Sequence, residues 1–111
     1  MEAAFRRENT MKVIVAGTIP VNPELREVAV NAVIKCTAET KKEAGCLAYE
    51  FSADLVDPNL FHLYELWDEA VSLDAHMKLA HTVELLALMP SFLGGSPNIG
   101  RFTVSDGGDL L

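Results

Sequence analysis

The chain has 111 residues, of which 50% are apolar and 23% are charged, as is typical of one globular domain rather than a disordered chain. Its net charge of -7 argues against nucleic-acid and membrane-surface partners, since both need an excess of Lys and Arg. No apolar run is long enough for a membrane span. Cys36 and Cys46 match no disulfide framework, so we expect reduced thiols and a cytoplasmic location.

The predicted elements begin after a short extension, residues 1–10. The β-branched residues 11–19 predict a buried strand, which Pro20 ends. Asn22 suits a helix N-cap and Pro23 the first helical position, and apolar residues then recur with helical spacing. This helix is predicted to stop near Glu43, with Gly45 as its C-terminal residue.

A β-hairpin is predicted next. The segment 46–53 alternates in polarity, and Leu47, Tyr49 and Phe51 are expected to share one face. A turn signature at residues 57–59, Asp-Pro-Asn, leads into a second strand over residues 60–67.

The strand over residues 60–67 is apolar on both faces, whereas a strand of a small antiparallel sheet usually leaves one face for water. His62 lies on one face, and Glu65 and Trp67 lie on the other. We therefore expect helices to cover one side of the sheet and a second subunit to cover the other.

A second helical pattern starts near Ser72 and extends to about Pro90, with a break possible near Ala80. A last strand over residues 99–104 precedes a tail, residues 106–111. The order β-α-β-β-α-β favours an α+β, ferredoxin-like fold with a four-stranded antiparallel sheet and both helices on one face. We expect residues 11–105 to form this domain, and the uncovered face to pair in a homodimer.

Candidate site residues lie on the second hairpin strand and the second helix. Trp67 is either a packed core aromatic or a pocket wall, and Tyr49 is more often core than a proton donor. Buried Glu65 is either a structural hydrogen-bond acceptor or a base. His76 and His81 could face the same pocket or be structural; on a straight helix they stand about 140° apart, so the sequence gives little reason to expect a metal site.

Several of these residues occur in motifs that resemble the antibiotic biosynthesis monooxygenase domain, including small quinol monooxygenases. The motifs are Glu-Ala-Gly-Cys-Leu-Ala-Tyr-Glu-Phe at 43–51, Leu-Tyr-Glu-Leu-Trp at 63–67, Ala-His at 75–76, and His81. The resemblance covers about residues 11–105 and implies a dimeric α+β barrel with a pocket between sheet and helices in each subunit.

The resemblance also implies oxidation of a quinol or phenolic substrate by O2 without flavin, haem or metal. In that reading Trp67, Tyr49 and Glu65 bind the substrate, and His76 or His81 is the catalytic base. Two other functions stay open: a non-catalytic dimer that binds an aromatic ligand, and an isomerase of a small signal molecule. Few Lys or Arg residues lie near the motifs, which weakens the isomerase reading.

Overall fold

The computed structural model describes residues 10–111, so the predicted extension lies outside the described residues except for Thr10. Four strands and three α-helices follow one another along the chain. Their bounds are β1 Val13–Pro20, α1 Arg26–Thr40, β2 Cys46–Ala53, β3 Leu60–Trp67, α2 Ala70–His76, α3 Ala80–Phe92 and β4 Asn98–Thr103. No helix among residues 10–111 combines the length and apolarity that crossing a bilayer needs.

The four strands form one antiparallel sheet in the order β2-β3-β1-β4. This confirms the predicted α+β, ferredoxin-like fold, including the β2–β3 hairpin. Asn22 acts as an N-cap as predicted, because its side chain accepts a hydrogen bond from the Glu24 amide, but it caps a 3-10 turn over Pro23–Leu25. The α-helix itself begins three residues later than predicted, at Arg26, with Leu25 as its N-cap. Gly45 ends the connection after α1 with φ of 85°, a conformation that glycine adopts without a Cβ penalty.

The sheet has an inner face, covered by the helices, and an outer face that the described residues leave open. On β3 the inner side chains are buried and the outer ones are more exposed, with Tyr64 at 42%. This alternation follows the predicted assignment of His62 and Glu65 to opposite faces. The inner residues of β3 are Phe61, Leu63, Glu65 and Trp67.

The prediction that Leu47 of β2 shares the buried face of the sheet with Tyr49 is wrong. A register shift between Cys46 and Ala48 puts Cys46 opposite Trp67 and Tyr49 opposite Glu65, and Leu47 is 51% exposed. The extra residue of a bulge breaks the two-residue alternation, so Leu47 does not share the buried face with Tyr49.

The second helical segment is divided into two helices, α2 and α3, as the possible break near Ala80 anticipated. Leu79 adopts an extended conformation, with φ of -76° and ψ of 151°, and its carbonyl accepts hydrogen bonds from Thr82 and Val83. The chain therefore changes direction between His76 and Ala80. This change decides where the two histidines lie.

Candidate functional site

Glu65 and Trp67 form a buried pair on the inner face of β3. The Trp67 indole Nε1 donates a 2.9 Å hydrogen bond to Glu65 Oε1, and the two side chains share a face because they lie two residues apart. Trp67 is 0% exposed and Glu65 is 6% exposed. Burial raises the pKa of the Glu65 carboxyl, and the hydrogen bond from Trp67 partly opposes this rise.

A cavity of about 240 Å³ lies between the inner face of the sheet and α2. Glu65 of β3 and Arg101 of β4 both line it. Val15 of β1 is paired with Glu65 on one side and with Arg101 on the other, so the three residues form one row across the sheet. Leu73 and Met77 of α2 close the opposite side. The cavity therefore combines an apolar wall with one buried carboxyl and one cation.

A second cluster joins Glu43, in the connection after α1, to the two histidines. Glu43 Oε2 accepts hydrogen bonds from His76 Nδ1 at 2.8 Å and from His81 Nε2 at 2.6 Å. The side chains of Glu43 and His76 are 9% and 2% exposed, and that of His81 is 18% exposed. The separation expected on a straight helix is absent, because the break between α2 and α3 turns both rings toward one carboxylate.

Aromatic packing links the two clusters. The ring centroid of His76 lies 4.8 Å from that of Trp67 and 5.6 Å from that of Tyr49. The Tyr49 hydroxyl lies 3.6 Å from Cys36 Sγ, and burial raises the pKa of this phenol above its usual range. Tyr49 therefore stays neutral and positions the His76 ring.

The sequence matches the family model of the antibiotic biosynthesis monooxygenase domain over residues 12–87, more than half of the chain. The chain belongs to the antibiotic biosynthesis monooxygenase family.

Relatives of this monooxygenase-family domain share its fold. A conserved protein of Methanosarcina mazei Go1 is 26% identical, with 89% of this chain and 96% of that one aligned at a TM-score of 0.79. A structure described as an antibiotic biosynthesis monooxygenase is 22% identical, with 85% and 99% aligned at a TM-score of 0.78. An uncharacterised protein of Synechocystis sp. is 26% identical over 94 residues, which are 85% of this chain and 64% of the relative.

All five predicted site residues of the antibiotic biosynthesis monooxygenase domain lie in this connected region between sheet and helices. They do not line one cavity, however. Glu65 lines the sheet–α2 cavity, and His81 lines a separate cavity of about 320 Å³ between α1 and α3. Trp67, Tyr49 and His76 line neither of these, and each is 2% exposed or less, so they belong to the packed core.

Sequence reasoning missed two residues of this region. Glu43 stands in the quoted motif but received no role, since nothing local indicates that residues 33 and 38 positions away approach it. Arg101 was overlooked because it is distant from the motifs along the chain. Only the pairing of β1 with both β3 and β4 brings Arg101 into the row that contains Glu65.

Proposed function

We propose that this protein is a cofactor-independent monooxygenase that oxidises a quinol or another polyphenolic aromatic substrate with O2 in the cavity between sheet and helices. The observation that carries the proposal is a buried carboxyl of raised pKa on the wall of an otherwise mostly apolar cavity. A base of raised pKa is better matched to removing a phenolic proton near neutral pH than an ordinary glutamate.

Glu65 is the base in this proposal, in place of the histidines that the resemblance favours. Its Oε1 is held by Trp67, and no donor among the described residues contacts Oε2. The Glu65 side chain also lines the cavity, which is where a substrate hydroxyl would approach it. His76 packs against Trp67 and thereby positions this pair, and Glu43 holds the His76 ring in turn.

The reaction needs little from the protein beyond deprotonation, positioning and stabilisation of charge. Glu65 takes a proton from a substrate hydroxyl, and the electron-rich phenolate then reduces O2. One oxygen atom forms a bond to the ring carbon and the other leaves as water, so a quinol and O2 give a hydroxyquinone and water. Arg101 lines the cavity and is the cation that would stabilise the phenolate and the oxygen anion. Its side chain is 48% exposed and lies 3.6 Å from Asp74, so it has to turn from this exposed pair toward the substrate.

The homodimer remains part of the proposal. The outer face exposes Tyr64 at 42% and Phe102 at 58%, and the half-buried Ile14 and Leu66 lie beside them. Apolar side chains grouped on one face are typical of an interface, and two-fold pairing of sheet against sheet would cover them. The unbridged thiols Cys36 and Cys46 support a cytoplasmic location.

Oxygen uptake by chelator-treated protein tests the activity, with naphthoquinols and anthrones as substrates. We expect uptake above autoxidation, and a loss of about 100-fold or more in Glu65→Gln, because general bases contribute about 10²–10⁴-fold. Glu50→Gln is the matched control, since Glu50 lies exposed on the outer face of the adjacent strand and pairs with Lys41. His81→Ala is expected to retain most of the rate.

The outcomes separate the candidate functions. Uptake that Glu65→Gln abolishes and Glu50→Gln preserves supports the oxygenase proposal. Uptake that survives in Glu65→Gln but is lost in His81→Ala assigns the base to the histidine cluster and overturns the role of Glu65. No uptake, with quenching of Trp67 fluorescence by the same compounds, overturns the enzyme proposal in favour of a binding module.

A further inference from the structure

We propose that Glu43, His76 and His81 form a binding site for a divalent transition-metal ion of the zinc class. Each residue offers one ligand atom within 4.8 Å of the other two, and Glu43 Oε2 lies within hydrogen-bond distance of both His76 Nδ1 and His81 Nε2. The site goes beyond the proposed oxygenase function, which is assigned to the Glu65 cavity and is tested on metal-free protein.

The ligand set selects the class of ion. Two imidazole nitrogens and one carboxylate oxygen suit Zn²⁺, Co²⁺, Ni²⁺ or Fe²⁺, whereas Mg²⁺ and Ca²⁺ prefer oxygen ligands alone. Three protein ligands leave a fourth position for water, as in open zinc sites. The carboxylate also offsets part of the charge that the ion brings into a region where the three side chains are 18% exposed or less.

The cluster is close to the spacing that such an ion requires. Tetrahedral bonds of about 2.0–2.1 Å put ligand atoms roughly 3.3 Å apart. The two hydrogen-bond distances to Glu43 Oε2 are 2.8 and 2.6 Å. The ion therefore needs Glu43 to withdraw by roughly half an ångström, and Glu43 lies in a connection between elements rather than in a helix or strand. The ligand atoms of the two histidines lie within 4.8 Å of each other, so they also have to settle at the tetrahedral spacing.

Surrounding groups already orient the His76 ring for this role. Trp67 and Tyr49 pack against it, and Thr82 Oγ1 lies 3.2 Å from Nδ1 and 3.4 Å from Nε2. An oxygen almost equally far from both ring nitrogens lies beside the ring rather than in line with its Nε2–H bond. Thr82 therefore packs against the imidazole and limits its rotation.

Access to the cluster comes from the side of His81. Its ring lines the cavity between α1 and α3 together with Cys36 and Glu84, and its side chain is the most exposed of the three. An ion entering from this cavity reaches His81 first and Glu43 next. Bound there, it would hold together the connection after α1, the end of α2 and the start of α3.

Cobalt titration of chelator-treated full-length protein tests the site, with Zn²⁺ binding measured by calorimetry under the same conditions. We expect one ion per chain, visible cobalt absorption bands of a low-coordinate N/O site, and displacement of Co²⁺ by Zn²⁺. His81→Ala and Glu43→Gln should each weaken binding by about tenfold or more, since each removes or neutralises one ligand. His62→Ala is the matched control, because His62 lies on the outer face and pairs with Asp54.

The proposal is overturned if the wild-type chain binds no stoichiometric Zn²⁺, or if His81→Ala and Glu43→Gln bind it as tightly as the wild type. It is also overturned if His62→Ala removes binding, which would place the ion elsewhere. Circular dichroism of each variant verifies that it is folded, and His81→Asn provides a second variant if His81→Ala is not. Oxygen uptake is a separate readout, so failure of the metal site leaves the proposed function unaffected.

Discussion

Replacing Trp67 with alanine tests whether this side chain belongs to the core or forms a substrate wall. Trp67 is 0% exposed, and truncation of a buried aromatic costs about 3–5 kcal/mol. Its Nε1 is also the donor to buried Glu65, and leaving a polar group unsatisfied costs roughly 1–3 kcal/mol. We expect Trp67→Ala to lose at least about 4 kcal/mol of the free energy of unfolding, a large part of the ~5–15 kcal/mol typical of a domain.

A conservative variant separates packing from hydrogen bonding. Trp67→Phe keeps most of the ring volume beside His76 but removes the donor, so its expected loss is about 1–3 kcal/mol. In the Glu65→Gln background the same change should cost less, because the acceptor is then uncharged.

Urea unfolding followed by far-ultraviolet circular dichroism measures these losses at one fixed protein concentration. Fluorescence is unsuitable, since Trp67 is the only tryptophan. A loss below about 1 kcal/mol in Trp67→Ala would refute the assignment of Trp67 to the core, because that size is typical of an exposed or easily accommodated change. It would restore the sequence-based expectation of a pocket wall that can be truncated without unfolding the domain.

Two further predictions concern Glu65 and the outer face. Burial raises the folded-state pKa of Glu65 above its unfolded value, so the folded state binds this proton more tightly. The contribution of Glu65 to stability should therefore fall as pH rises through the ordinary glutamate range and level off above the raised pKa. The urea midpoint of the wild type should accordingly drop relative to that of Glu65→Gln over this range, and parallel profiles would contradict this. If the proposed homodimer forms, the wild type should be dimeric in light scattering and Phe102→Asp monomeric, whereas Leu55→Asp, at a fully exposed loop residue, should stay dimeric. A monomeric wild type or a dimeric Phe102→Asp would argue against the sheet-face interface.

Much of the fold follows from the periodicity of the sequence. The strands β2 and β3 have the bounds predicted from alternation and from the Asp-Pro-Asn turn between them. The opposite placement of His62 and Glu65 was predictable too, because a strand repeats every two residues whatever surrounds it. The same reasoning failed at Leu47, where a bulge inserts one residue and resets the alternation.

The sequence by itself determined the element order, the ferredoxin-like topology and the burial of a carboxyl beside Trp67, since these depend on local pattern and on short connections. Only the tertiary structure decided which groups meet. Glu43 reaches His76 and His81 across 33 and 38 residues because a break turns α3 away from the axis of α2, and Arg101 reaches the Glu65 cavity because β1 pairs on both sides. Such contacts depend on how distant segments are placed in space, and residue spacing along the chain carries no record of that placement.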